Sequence, residues 1–186
     1  MSPDALRTAL EELRKAREAT LARYHSRSLP FADGLFDRWE RAHRLGFGAG
    51  ASIYDSSCVF GDVQVGENTW IGPWTILDGS GGGLSIGSFC SISSGVQIYT
   101  HDTVGWALSG GILPRREGRV RIGDRVYIGS QSIVSLGVTI GATSVVGANS
   151  FVKADVPERT IVAGSPAAPI GRVEGDGEAI RLVYDR

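Results

Sequence analysis

Cysteine, histidine, methionine and long apolar runs are all scarce in this chain of 186 residues, and each scarcity excludes a class of protein. Two cysteines, Cys58 and Cys90, are too few for a disulfide framework and lack metal-like spacing. Three histidines, His25, His43 and His101, are the whole supply of imidazole. No stretch approaches the roughly 18 apolar residues of a membrane span. The opening segment MSPDALRTALEELRKAREAT is charged throughout and lacks the apolar centre of a signal peptide, so the expected location is cytoplasmic. Nineteen Lys and Arg against 20 Asp and Glu leave a net charge of -1. That balance offers no basic field, so neither nucleic acid nor a membrane is expected as a partner. The length suits a single domain with a core of its own.

Glycine is the exception to the scarcity. It makes up 26 of 186 residues, about 14% against a usual share of about 7%. The glycines recur with a six-residue step that also carries Ile53, Val59, Val65, Ile71 and Leu77. The step resumes at Ile86, Ile92 and Ile98, then at Ile122, Ile128, Val134, Ile140, Val146 and Val152. Gly often follows the aliphatic residue, and a small or β-branched residue stands four places on. A helix repeats its apolar face every 3 to 4 residues and a simple strand every 2. A step of six fits short strands joined by tight corners, three steps to a triangular coil, with coils stacked by parallel pairing. Glycine is expected to supply the unusual backbone at the corners. Cys58 and Cys90 lie inside this region and read as small buried core residues.

The segment IGDRVYIGSQSIVSLGVTIGATSVVGANSFV and the closing DVPERTIVAGSPAAPIG resemble the hexapeptide-repeat acyltransferases. The likeness extends over about residues 52–173 and is strongest to the small sugar and xenobiotic acetyltransferases, including the galactoside and maltose types. It implies an all-β fold, a left-handed parallel β-helix of hexapeptide repeats with an N-terminal helical cap and an extruded loop. It also implies acetyl-CoA as co-substrate, no metal, and a homotrimer with active sites between subunits.

The ends and interruptions divide the chain. Residues 1–50 read as the helical cap, 51–173 as the β-helix domain and 174–186 as a C-terminal tail covering the far end. One helix starts at Ser2-Pro3-Asp4 with the stripe Leu6, Leu10, Leu13, Leu21 and Tyr24, and Pro30 breaks it. A second runs from about Asp33 to Leu45, with Gly46 as its stop. Leu77 to Ile86 is nine residues, so Gly79 to Gly83 form a bulging corner. Ile98 to Ile122 is 24, and TVGWALSGGILPRREGRV within it cannot fill an interior. Residues 102–119 are therefore expected to leave the coil as a loop directly after His101, where a rigid scaffold commonly carries function.

Transfer from a thioester requires a base to take the proton of an attacking hydroxyl or amine. Imidazole titrates near neutral pH and serves that role. His25 and His43 fall on the expected helices and face solvent. By position alone His101 is either the base or an exposed loop histidine; the resemblance places the catalytic histidine at this point. Asp102 and Asp78 are the two acids near it. The register of hexads puts Leu77 and Ile98 on one face, so Asp78 lies one coil below Tyr99. Relatives of the galactoside type bind their acceptor with an Asn and an acidic pair where this chain reads GPWTILDG, retaining Asp78 alone. Trp74, Tyr99 and Trp106 join Asp78 as candidate acceptor-binding residues for a sugar-like ring, with Trp70 nearby. Packing between subunits accounts equally well for each aromatic singly. For coenzyme A the resemblance carries over to Gly129, Ser130 and Ala148, with Lys153 and Arg172 as candidate phosphate contacts. Lys153 stands one place before the family lysine, because VTKDIP reads FVKADVP here.

A zinc hydratase of the γ-carbonic anhydrase type shares the architecture but needs three converging imidazoles, and the coils hold only His101. A non-catalytic scaffold remains the alternative function. No Gly-rich phosphate-binding strand–helix unit precedes the coils, which excludes a nucleotidyltransferase fusion.

Overall fold

In the computed structural model, which describes residues 1–185, the six-residue steps become the three faces of a prism. On the first face Ile53, Ile71, Ile92, Ile128, Val146 and Val162 stand in parallel register. Val59, Leu77, Ile98, Val134 and Val152 form the second. Val65, Ile86, Ile122, Ile140 and Val156 form the third. Five coils therefore share one interior column, and all of these side chains but one are buried. Val59 is only partly buried, because it sits in the first coil with nothing stacked beneath. Burying one such side chain stabilises the fold by about 1.5–3 kcal/mol.

The small residue of each repeat has a specific task. Hydroxyls of Ser57, Thr69, Ser132 and Ser144 donate to the carbonyls of Gly72, Gly87, Gly147 and Pro157, each at 2.8 Å and one coil further on. Buried corner carbonyls are thereby satisfied, which a Val or Ala there would leave undone. Cys90 fills the same slot, its Sγ 3.1 Å from the carbonyl oxygen of Gly123, and burial pushes its thiol pKa up. Cys58 differs from expectation. It precedes Val59 on the outward side of the strand and is exposed.

The role expected for the corner glycines holds in part. Gly50, Gly95 and Gly137 take the left-handed backbone, with φ of 72°, 70° and 80°, while Asn68, Trp74, Phe89, Arg125, Gln131, Thr143, Asn149 and Arg159 take it at other corners with φ between 54° and 61°. The glycine after each aliphatic is needed for another reason. A Cβ on Gly129 would lie 2.5 Å from the backbone nitrogen of Ala148, so only Gly permits that stacking distance.

Gly79 to Gly83 carry the expected bulge without a break in the strand, since Gly61 and Val63, two places apart, pair with Gly79 and Leu84, five places apart. A single strand, Ile76–Ile86, runs through them and wraps from the second face to the third. It pairs with Cys58–Val65, whose register shifts between Gly61 and Val63 to follow the bend. The longer interruption leaves the prism. His101–Asp102 pairs antiparallel with Arg116–Glu117 in a ladder separate from the coil sheets.

At the N-terminus, α1 (Pro3–His25) is capped by Ser2, whose Oγ accepts from Ala5 N at 3.2 Å. None of its residues is buried, and Leu6, Leu10 and Leu13 are exposed, so the expected stripe faces solvent in the single chain. The second expected helix is two: α2 (Phe31–Leu35) and α3 (Arg38–Arg44). Asp37 divides them, because its Oδ1 accepts from Trp39 N and Glu40 N and starts α3 afresh. Arg41 of α3 donates to the Tyr54 and Ser57 carbonyls, tying it to the first coil. At the other end Ala167–Glu174 turns back antiparallel on Thr160–Gly164, and Arg181–Tyr184 pairs with it in turn. The tail thus widens the first face as a hairpin.

Candidate active site

Thr100 is the hinge on which the site is built. It is fully buried, its Oγ1 donates to the Asp78 carbonyl at 2.8 Å and accepts from Gly81 N at 2.8 Å. The third coil is thereby sewn to the one below at the corner where the loop departs. Gly118 N closes the loop's return by donating to the Thr100 carbonyl at 2.8 Å and to that of Gly81 at 3.1 Å. A Cβ on Gly81 would stand 2.7 Å from the Cβ of His101, so this glycine is what lets His101 settle against the lower coil.

His101 is a quarter exposed at its side chain, and its Nδ1 lies 3.0 Å from Oδ2 of Asp78. Asp78 pairs with Tyr99 in the coil register and is 5% exposed. Its other oxygen accepts from Ser80 N at 2.8 Å, and Ser80 Oγ stands 3.3 Å from His101 Nδ1. A carboxylate against Nδ1 favours the tautomer with its proton there, leaving the Nε2 lone pair for a substrate proton. Tyr99 flanks the pair, its hydroxyl donating to Gln97 Oε1 at 2.7 Å. Burial first, and the Asp78 charge second, push the Tyr99 phenol pKa up. Asp102 turns away: it accepts from Val104 N at 3.1 Å at the start of α4 (Val104–Leu108) and pairs with Arg116 at 3.5 Å. Of the two acids, Asp78 contacts the imidazole.

The remaining candidates separate onto the three edges of the prism. Asp78, Tyr99, His101 and Lys153 stand where the second face passes to the third, and Trp106 is carried there on α4, 54% exposed. Trp74 is 60% exposed at the edge between the first and second faces, four residues before Asp78. Four extended residues span about 13 Å, so one chain does not bring Trp74 to His101. Gly129, Ser130 and Ala148 share that edge with Trp74, where Asn149 N bonds the Ser130 carbonyl at 2.9 Å. Arg172 pairs with Thr160 at the start of the first face, and its Nε is 2.7 Å from Glu174. Hydrogen bonds from Arg181 and Arg172 hold the Glu174 carboxyl below the usual range. Trp70 packs edge-on against Tyr54 with centroids 6.4 Å apart. Sequence reasoning passed over Ser80, Gly81, Thr100 and Arg115. The run GSGGG marks an irregular corner, but nothing in it says that a histidine one coil above rests on it.

Among the described residues no cluster of three or more His, Cys, Asp or Glu is arranged to hold a metal ion. No helix is long and apolar enough to cross a membrane.

A parallel β-helix with a histidine–aspartate pair at the root of a loop defines a class, and comparison with known proteins places the chain within it. The family model for the hexapeptide repeat of succinyl-transferase matches residues 119–154. The carnitine operon protein CaiE of Escherichia coli (strain K12) is 33% identical over 135 residues, 68% of this chain and 67% of that protein. The chloramphenicol acetyltransferase of Morganella morganii is 35% identical over 121 residues, 54% of this chain and 56% of that protein. Among solved structures, the hexapeptide-repeat acetyltransferase VCA0836 of Vibrio cholerae, complexed with acetyl coenzyme A, superposes with a TM-score of 0.60 at 28% identity, covering 89% of each chain. The chain belongs to the hexapeptide-repeat acyltransferase family, whose coils are left-handed. It spans about half the length of several curated relatives that it matches, 45% and 56% in two cases.

Proposed function

We propose that the protein transfers an acetyl-type group from acetyl-CoA to the hydroxyl or amine of a sugar-like acceptor, with His101 as general base. The observation that carries this is the Asp78–His101 contact of 3.0 Å, beside a ring nitrogen left without a partner among the described residues. In the reaction Nε2 takes the proton as the acceptor oxygen or nitrogen bonds to the thioester carbonyl carbon. The carbon–sulfur bond then breaks, and the imidazolium returns its proton to the departing thiolate. Asp78, called an acceptor-binding acid by its position in the sequence, has both oxygens engaged by His101 and Ser80 N. Its role in this reading is to orient and stabilise the imidazolium.

The edges also support an assembly. The base stands on one edge, and the groups assigned to coenzyme A by resemblance, Gly129, Ser130 and Ala148, stand on another. A site holding both needs two subunits side by side, as in a homotrimer. The second face, which lies between these edges, carries Cys58, Ile76, Gln97, Ile133 and Phe151 outward in one column. The third face shows Gln64, Ser85, Arg121 and Thr139 instead. Burial of the second face against a neighbour removes Ile76, Ile133 and Phe151 from water. Lys153 is the cation best placed for the nucleotide phosphates, since Arg172 is already paired with Glu174. Exposed Trp106, and Trp74 from the adjoining subunit, supply the surfaces on which a ring would stack. Free thiols and an intracellular acyl donor fit a cytoplasmic setting.

The test is thiol release from acetyl-CoA with a panel of free and nucleotide-linked sugars and simple amines, for wild type and His101→Ala. Acceptor-dependent release by the wild type and its loss in the variant are expected. Absence of thioester cleavage with every acceptor favours the non-catalytic scaffold.

A further inference from the structure

Resting on the reading of His101 as the base, we infer that Arg115 is a positioning residue that holds the Asp78–His101 pair in working geometry from the loop side. The backbone of His101 lies outside the coil ladders. Its strand partner is Glu117, in a ladder of only two residue pairs. So short a ladder is not self-sustaining in water; the backbone bonds of Gly118 to Thr100 and Gly81 tie its returning end to the coils, and a side chain holds the rest. Among the described residues, Arg115 is the one side chain of residues 103–117 that bonds a coil. One of its terminal nitrogens donates to the Ser80 carbonyl at 3.1 Å, and its Nε pairs with Glu117 at 2.6 Å. Arg115 therefore grips both the residue opposite His101 and the residue beneath it.

Ser80 is the point through which this grip acts. Its N–H orients Asp78, its Oγ touches His101 Nδ1 and its carbonyl receives Arg115. Fixing that carbonyl with a charge-assisted hydrogen bond fixes the peptides on both sides of it. Ser80 lies between two glycines, and two more, Gly82 and Gly83 at φ 109° and 97°, follow closely, so the corner itself has little stiffness. Arg115 supplies what the corner lacks. Its side chain is 45% exposed, so it adds little to global stability. Its effect is on geometry.

A double-mutant cycle in the full-length protein separates this role from general support of the loop. Arg115→Gln should lower kcat about tenfold, the effect of losing one charge-assisted hydrogen bond. The KM for acetyl-CoA should stay unchanged, and Arg115→Lys, which keeps one donor, should recover part of the loss. In the His101→Ala background, single-turnover rates should be the same with and without Arg115, because there is no imidazole left to position. An equal loss in both backgrounds, or no loss in the wild-type background, overturns the inference while leaving the base assignment intact. Full activity in His101→Ala alone removes the base, and this inference with it. Melting curves for each variant report whether folding has changed.

Discussion

The corner at residues 129–132, between the first and second faces, and the corner at residues 78–83, between the second and third, use their polar groups in opposite ways. At the first, Ser132 Oγ donates to the Gly147 carbonyl and Ser150 N donates back to it at 3.2 Å. The Ser132 hydroxyl is committed to stacking. At the second, the same currency of backbone and hydroxyl is turned on Asp78 and His101, and one ring nitrogen is left over. The scaffold is alike in both places. The imidazole stands where the repeat fails, with one ring nitrogen left over for a proton.

The sharpest way to break this contrast is to exchange the losses. His101→Ala should cut turnover by roughly 10²–10⁴-fold, the range for general acid–base catalysis, equal to about 3–5 kcal/mol of barrier. Its melting temperature should hardly move, since the side chain leaves no core cavity. Ile128→Ala, in the regular fourth coil, should do the reverse, costing about 2–5 kcal/mol of stability by denaturant titration while the folded fraction keeps its turnover. A His101→Ala protein with near-normal turnover on its true acceptor would falsify the assignment.

A smaller effect distinguishes the parts of the irregular corner. Asp78→Asn keeps the shape but removes the charge that steadies the imidazolium, and should lower kcat by roughly 10- to 100-fold, the worth of one hydrogen bond to a charged group. Acetyl-CoA affinity by calorimetry should survive, because Asp78 is engaged by His101 and Ser80 and touches none of the groups proposed for coenzyme A. Smaller again are the aromatic surfaces. Trp106→Ala and Trp74→Ala should raise the acceptor KM several-fold, in line with about 0.5–1.5 kcal/mol for an aromatic contact, with little change for acetyl-CoA. If both leave acceptor kinetics untouched, the ring stacks elsewhere. The least effect belongs to α1, which buries nothing within the chain. Removing residues 1–25 should shift stability by less than about 1 kcal/mol, and a fall in assembly size by light scattering would instead show that its leucine stripe packs on a neighbouring subunit.

Much of the fold was open to reading from the residues alone. The spacing of Ile53 through Val152 carries the coils, since an aliphatic every six places has no other regular arrangement that buries them all. Pairing of Asp78 with Tyr99 followed from counting hexads and agrees with the register found. Reading went astray where a residue's task depends on its neighbour one coil away. The glycine after Ile128 was expected to permit a turn and instead admits Ala148. Cys58 was expected inside because it lies in the repeat, but one place before the aliphatic is the outward position. The divide at Asp37 was missed because its capping competes with a helical pattern that runs through it.

By itself, then, the sequence determined the step, the faces and the point at which the chain leaves the prism, because these follow from local period and from which side chains avoid water. Only the tertiary structure decided which acid meets His101, that Ser80 and Arg115 stand beside the pair, and that His101 and the Gly129–Ser130 corner occupy different edges. Those relations join residues 20 or more apart in the chain across a single coil spacing of about 4.8 Å. Their geometry is set by stacking distance and corner shape, which no period in the sequence records.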